Sequence, residues 1–326
     1  MTRFEVLPVE GVGEVLPGDD LAALLFGLTD LRDGDILVVT SKIVSKSEGR
    51  VISSDRETAL AAETDRVVAR RGPTTIVRTH HGLVMAAAGI DASNTDPGTV
   101  VLLPRDPDAS ARGLRERLRE YAGANVGVVV SDTSGRAWRE GQTDIAVGAA
   151  GIVVLDDHAG RVDPYGNALA VTAPALADEI AAAGDLAKGK LSGHPVALLR
   201  GLEALVLPPA EHGPGASALT RAEGTDLFGY GSREAVLRAL APGGDRGRGF
   251  GAPAPAAEVA DVLATVLGPG TEVLEQDGAV VARLTTTDPR DLGRAEARAE
   301  AALRAHGWRL AAGDSAHSLT CRPATP

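Results

Sequence analysis

The chain changes character at Ala241. From there to Ala257 it reads APGGDRGRGFGAPAPAA, a stretch where Gly, Pro and Ala concentrate and no apolar period survives, which is the composition of a connecting segment rather than of a packed element. One continuous core does not span such a break. The sequence therefore predicts a body over residues 1–240, a linker over 241–257 and a small α/β appendage over 258–326, in keeping with about 100 to 200 residues per domain. No repeat at the roughly 20 to 50 residue periods of solenoids or propellers is present.

Within the body, short apolar runs alternate with helical periods. Phe4 to Val9 reads as a strand, Pro17 to Asp20 as a turn and helix cap, and Leu21 to Leu31 as a helix with one apolar face. Asp35 to Thr40 is a buried strand rich in Ile and Val that runs into the polar SKIVSKSEGR, read as a basic loop or strand end. Helices are predicted over Thr58 to Arg71, Ala109 to Tyr121, Ala175 to Leu191 and within Asp226 to Leu240; further apolar runs are Leu83 to Ile90, Val100 to Leu103, Val126 to Val130 and Pro195 to Leu199. In the appendage, helices at Glu258 to Leu267 and Arg290 to His306 flank two strands joined by the hairpin signal Asp277-Gly278, with a last strand near Ser318 to Arg322. The fold class is α+β, a mixed α/β body.

Composition excludes several classes of function. Aromatic residues make up only 3%, so the core is built from Ala, Val and Leu and aromatic stacking is a poor binding mode. A net charge of −11 argues against a nucleic-acid or anionic-membrane surface, since both require clustered Lys and Arg. The single cysteine, Cys321, excludes an intramolecular disulfide and fits a reducing cytosol. No run reaches the roughly 20 apolar residues of a membrane span, and Glu5 and Glu10 interrupt the place of a signal peptide, so the expected location is cytoplasmic.

Three clusters carry chemistry. Ser131 to Gly148, SDTSGRAWREGQTDIAVG, follows an apolar strand and packs three acids, two arginines and several glycines. Asp132 and Thr133 offer hard oxygens suited to a magnesium or manganese ion that also holds phosphate. Arg136 and Arg139 suit phosphate or carboxylate groups. The bland alternative is a turn cap. The second cluster, Gly89 to Asn94, brings Asp91, Ser93 and Asn94 to another strand end, read either as an Asx turn or as a second carboxylate for the same metal. The third, Thr40 to Lys46, holds two Ser-Lys pairs, Ser41-Lys42 and Ser45-Lys46, whose hydroxyls and ammonium groups suit phosphates where they are not merely solvated. Gly184 to Leu191 imitates a P-loop, but Leu191 stands where Ser or Thr is required and the stretch follows a helical pattern. Neither a zinc-binding histidine spacing nor a GxSxG elbow occurs.

Taken in order, LPVEGVGEVLPGDDL, DGDILVVTSKIVSKSEGR, GLVMAAAGIDASN, SDTSGRAWREGQTDIAVGAAG, DPYGNALAVTAPALADEIAAAGDLAKGKLSG and PVALLRG resemble the coenzyme F420:L-glutamate ligase family across roughly Phe4 to Tyr230. The resemblance implies a GTP-dependent ligase: the terminal carboxylate of F420-0 is phosphorylated, the amine of L-glutamate attacks the acyl phosphate, and further glutamates join through γ-linked bonds. It also implies two divalent cations, Mg2+ or Mn2+, with K+ an open addition, and an intertwined homodimer built from a two-part body. Carried over by motif, Asp91 and Asp132 bind one cation and Thr133 the second. Ser41, Lys46 and Asn94 bind GTP, and Val12, Gly13, Glu14 and Val15 line the nucleotide. Asp132, Arg136 and Arg139 form the catalytic set. Val12 to Val15 depart from the apolar-Pro pattern of that loop, and the appendage of about 70 residues is shorter than the flavin-dependent reductase domain of about 200 residues fused to some actinobacterial relatives, so a stand-alone ligase is expected. The residues leave two rivals open, an amide ligase of the same fold acting on another carboxylate and a non-catalytic nucleotide-binding module.

Overall fold

The apolar runs form the centre of a five-stranded sheet. A computed structural model describes residues 3–93, 95–241, 250–311 and 317–324, and its chain packs as two compact units dividing between Thr220 and Arg221. The first unit runs β1 (Glu5–Pro8), α1 (Leu21–Leu28), β2 (Ile36–Thr40), α2 (Ser41–Ser47), β3 (Val51–Ser53), α3 (Arg56–Glu63), β4 (Thr64–Arg71), β5 (Thr74–Thr79), β6 (Val84–Ala86), β7 (Thr99–Val101), α4 (Pro107–Ala122), β8 (Gly127–Gly135), β9 (Gln142–Ala150), α5 (Leu176–Lys188) and β10 (Val196–Arg200).

The main sheet has the order β1-β10-β2-β8-β9. Its central pair, β2 and β8, is parallel and in register from Ile36↔Gly127 to Thr40↔Ser131, while the outer pairings are antiparallel. Both faces are covered, which is why these strands read as unbroken apolar runs rather than as an alternation. Leu37, Val39, Val128 and Val130 pack with Leu25 of α1, Val44 of α2 and Leu118 of α4. Ile36, Val38 and Val129 pack on the opposite face with Ala177, Ile180 and Ala181 of α5. That helix lies so close that a Cβ on Gly184 would come 2.8 Å from Val38, so glycine is required there for steric reasons. Two smaller antiparallel sheets, β3-β7 and β4-β5-β6, complete the unit.

Three local readings of the sequence are corrected. SKIVSKS is the helix α2 and not a loop, because Ile43 and Val44 bury into the core and Ser47 Oγ donates to Val44 O at 2.8 Å. The helix expected over Thr58 to Arg71 stops at Glu63 and continues as β4, which the Gly72-Pro73 turn folds back onto β5; cross-strand pairing overrides helical propensity in the second half. Of the run Leu83 to Ile90, only Val84–Ala86 is strand. It then enters a left-handed turn with φ of 50° at Ala87, 55° at Ala88 and 70° at Gly89.

The second unit holds α6 (Ser232–Leu240), α7 (Ala256–Leu267), β11 (Glu272–Gln276), β12 (Ala279–Arg283), α8 (Pro289–Ala305), β13 (Trp308–Leu310) and β14 (Ser318–Pro323). Its antiparallel sheet has the order β11-β12-β14-β13, and its core joins Val259, Leu263, Val280, Ala299, Leu303, Trp308 and Cys321. The hairpin turns at Asp277 and Gly278, both at positive φ, as the Asp-Gly signal requires. Residues 242–249 of the expected linker lie outside the described residues, and α6 groups with this second unit. The architecture is α+β, and among the described residues no helix is long and apolar enough to cross a membrane.

α1 begins at Asp20, whose Oδ1 accepts from the N–H groups of Ala22 and Ala23 at 3.1 and 3.2 Å. The Arg117 guanidinium, more than the Tyr121 hydroxyl and the helix amide, holds its carboxyl down to about 2. We expect Asp20→Ala to cost about 1 kcal/mol of stability through the lost cap. Because the folded state favours ionised Asp20, chiefly through Arg117, the charge-dependent part of its contribution is present above the ordinary carboxylate range and is lost as pH falls through about 2, so paired denaturant titrations along a pH series should show the gap between parent and variant narrowing at low pH.

Candidate active site

The pairing of parallel β2 and β8 ends at Thr40↔Ser131, and a cavity of about 510 Å³ opens there. Such an end is where open α/β sheets collect ligands. After β2 the chain turns into α2, and the i, i+4 spacing places Lys42 and Lys46 on one helix face; both line the cavity with Ser41 and Ser45. β8 instead runs straight on through Asp132 and Thr133, so these two side chains, just past the last residue paired with β2, point to opposite faces and both reach the cavity. Asp91 enters from the segment after the left-handed turn, tied to Val101 by reciprocal backbone hydrogen bonds of 3.0 and 2.8 Å.

Charge dominates the lining. Lys42 Nζ lies 2.5 Å from Asp91 Oδ2, and Lys46 Nζ lies 2.5 Å from Glu14 Oε1. Burial acts to raise Asp91, but the Lys42 ammonium and the Ser93 N–H and hydroxyl outweigh it and hold the carboxyl below its ordinary range. Asp132 behaves in the opposite way. Its residue keeps some surface toward the cavity while its carboxyl is crowded by protein atoms, and that burial, reinforced by the negative charges of Asp144 and Asp91, pushes it up to about 7 against hydrogen bonds from the Thr133 N–H and the Ser41 hydroxyl.

Behind Thr133 lies a buried polar group that sequence reasoning missed. Thr133 Oγ1 donates to Asp144 Oδ1 at 3.0 Å, Ser131 Oγ meets Asp144 Oδ2 at 2.9 Å, and Lys188 Nζ donates to Ser131 Oγ and Asp144 Oδ2, each at 2.7 Å. Lys188 and Asp144 are each only 3% exposed. The P-loop imitation at Gly184 to Leu191 is the end of α5 followed by Gly189; Asp185, Lys188, Gly189 and Lys190 of it line the cavity, and the Lys188 ammonium is turned into the buried group.

The structure brings together Val12, Gly13, Glu14, Ser41, Lys46, Asp91, Asp132 and Thr133. Val15 packs in the core with Leu21 and Leu25 rather than lining the cavity. Arg136 and Arg139 sit in the exposed turn between β8 and β9, outside the lining, with Arg136 Nη2 donating to Glu140 O at 3.0 Å. Asn94 lies outside the described residues.

The donor set fits a divalent cation held partly by substrate. Among the described residues no three His, Cys, Asp or Glu side chains converge as a complete metal cage. Magnesium-type sites need none, since one or two carboxylates plus substrate phosphates suffice. Asp91, Asp132 and the Thr133 hydroxyl supply hard oxygens of that kind to one cavity.

Residues 11–62 and 56–201 match the sequence profile of a family described as F420-0:Gamma-glutamyl ligase. The chain is similar to the coenzyme F420:L-glutamate ligase of Methanopyrus kandleri, with 40% identity over 250 residues covering 69% of this chain and 97% of that protein. The ligase of the same name from Archaeoglobus fulgidus is 40% identical over 220 residues, 61% of this chain and 88% of the relative. That from Haloarcula marismortui is 39% identical over 223 residues, 60% and 87% of the two chains.

Gly89 supports the site by having no side chain. At its φ of +70° a Cβ would lie 2.9 Å from Leu103 Cγ and 3.1 Å from Asp132 Oδ2. We expect Gly89→Ala to lose at least about 1 to 2 kcal/mol from backbone strain alone and to displace Asp132. Chemical denaturation will show the first effect and a crystal structure of the variant the second, and a variant matching the parent in both would remove Gly89 from this role.

Proposed function

The chain belongs to the F420-0:gamma-glutamyl ligase family, and from that premise we propose that it joins L-glutamate to coenzyme F420-0 at the expense of GTP, through an acyl phosphate. The observation that carries the reading is the convergence of Asp91, Asp132 and Thr133 with Lys42 and Lys46 around one cavity where the pairing of β2 with β8 ends.

The chemistry follows from the substrates. A carboxylate is a poor acyl donor until one of its oxygens is made into a leaving group. Transfer of the γ-phosphoryl group of GTP to that oxygen releases GDP; the glutamate amine then attacks the acyl carbon, the C–O bond to phosphate breaks, and amide, inorganic phosphate and a proton result. Repetition on the γ-carboxylate of the added residue lengthens a γ-linked tail. Divalent cations, Mg2+ or Mn2+, supply charge that offsets the developing negative charge on phosphoryl oxygens. Asp91 and Asp132 would hold one and Thr133 the other, and K+ is a further candidate.

The chain's own groups have separate tasks. Ser41, Lys42 and Lys46 present hydroxyl and ammonium donors from α2 to the phosphates, and Val12 to Glu14 close the cavity beside them. Arg136 and Arg139, out on the hairpin turn, are assigned to carboxylate or phosphate groups that extend beyond the cavity. A homodimer and a cytoplasmic location complete the reading.

Mass spectrometry of the purified protein with F420-0, L-glutamate, GTP and Mn2+, omitting each in turn, should show a ladder of glutamate-sized increments that needs all four. No increment with GTP still bound would replace the ligase by a nucleotide-binding module, and an increment on another carboxylate would change the acceptor. Asp132→Asn should keep the fold by circular dichroism and lose at least about 100-fold in turnover, from several kcal/mol of missing charge stabilisation. A wild-type rate would remove Asp132 from the mechanism.

A further inference from the structure

The buried pair Lys188 and Asp144 has no explanation in stability alone. An ammonium and a carboxylate withdrawn from water to 3% exposure lose solvation that their attraction barely restores, and apolar replacements of similar volume commonly leave a protein as stable or more so. A lysine in the last turn of a helix interacts well with the helix dipole while still solvated, so that preference does not require Lys188 to be buried either.

The geometry around the pair is directional. Thr133 and Asp144 are cross-strand partners in the β8–β9 ladder, and the irregularity in register between Val130 and Ser131 is of the kind that re-aims side chains beside sites. Lys188 and Ser131 both engage Oδ2 of Asp144, which leaves Oδ1 for the Thr133 hydroxyl. A threonine hydroxyl has one proton and two lone pairs. With the proton committed to Asp144, the lone pairs are what Thr133 offers to the cavity, and those are what a hard cation needs.

We propose, on the reading of Thr133 as a cation-ligating hydroxyl given above, that Lys188 and Asp144 are a positioning pair: Lys188 fixes Asp144, and Asp144 fixes the proton of Thr133 so that its oxygen faces the cavity as a ligand. Both residues border the cavity, but their charged atoms are engaged with each other, Ser131 and Thr133, so in this scheme they act through Thr133 and not on the substrate or the cation. Partners that orient metal ligands are worth roughly 10- to 100-fold in metal affinity, and this is the effect expected here.

The test uses the full chain, metal-free, titrated with Mn2+ in the presence of a slowly hydrolysed GTP analogue and followed by the electron paramagnetic resonance signal of free manganese. The double variant Lys188→Met, Asp144→Leu replaces the pair by apolar groups; it should melt at or above the parent's temperature and bind the second manganese roughly 10- to 100-fold more weakly. Thr133→Val should lose as much, and adding it to the double variant should lose nothing more, since the residues act through one contact. Parent-like manganese binding by the folded double variant, or additive losses, would overturn the positioning role. If the double variant does not fold, Asp144→Asn decides: with Lys188 holding the amide oxygen, the NH2 faces Thr133 and donates to its hydroxyl oxygen, so a weakening of at least about 10-fold is expected and parent-like binding overturns the proposal. A parent protein that takes up no second manganese overturns instead the metal reading on which it stands.

Discussion

The parallel pairing of β2 with β8 is the constraint from which the site follows. Its register sets Thr40 beside Ser131, so the chain after β2 and the chain within β8 meet at one edge. Side chains on a strand alternate, and a slip of one residue would exchange every face: Val129 would leave the α5 side, Val128 and Val130 would leave the α4 side, and Asp132 would turn from the cavity wall. Burial on both faces forbids that slip, because each face carries its own apolar set. The stiffness of the site is thus supplied by Val, Ile and Leu, and the polar ends inherit it.

What those ends hold is charge in close opposition. Two unit charges about 4 Å apart interact by about 4 kcal/mol at an effective dielectric of 20, so no member of the set is independent of its neighbours. Asp91 and Glu14 face lysines of α2, and Asp144 faces Lys188. Asp132 meets no cation among the described residues; burial above all, and then the acids on either side, push its carboxyl up to about 7 against a backbone N–H and a serine hydroxyl. The difference between Asp91, held low, and Asp132, pushed high, arises from how deeply each carboxyl is buried and whether a cation meets it, rather than from the residue type.

Much of this was legible in the sequence because it was local. Unbroken runs such as Ile36 to Thr40 announced strands covered on both sides, and the Asp277-Gly278 pair announced its hairpin. Asp132 and Thr133 stood out because acid and hydroxyl followed an apolar strand. Lys42 and Lys46 are visible as residues, but a serine-rich heptapeptide carries little helical propensity, so local rules favour a basic loop or strand end over the helix that aligns them. Asp144 was one of three acids in its segment, and Lys188 lay in an Ala-rich helix; nothing local joins them. Their meeting depends on α5 packing against β8 and β9, a relation set by strand order.

The turn over Ala87 to Gly89 shows why local rules fail where they do. Consecutive left-handed residues, two of them alanines, cost free energy that a strand continuing from β6 would not. That strand would carry the chain past the sheet edge, whereas the turn lets Asp91 pair with Val101 and brings its carboxylate to the Lys42 face. The cost is met by residues elsewhere: Ala88 is itself buried among Ala59, Val77, Ile90, Val100 and Leu102, so the apolar cluster that holds the strained backbone in place is the one that supports Asp91. A propensity-based reading favours the extended run from Leu83 to Ile90, and the fold departs from it at the point where a carboxylate has to be delivered to the cavity.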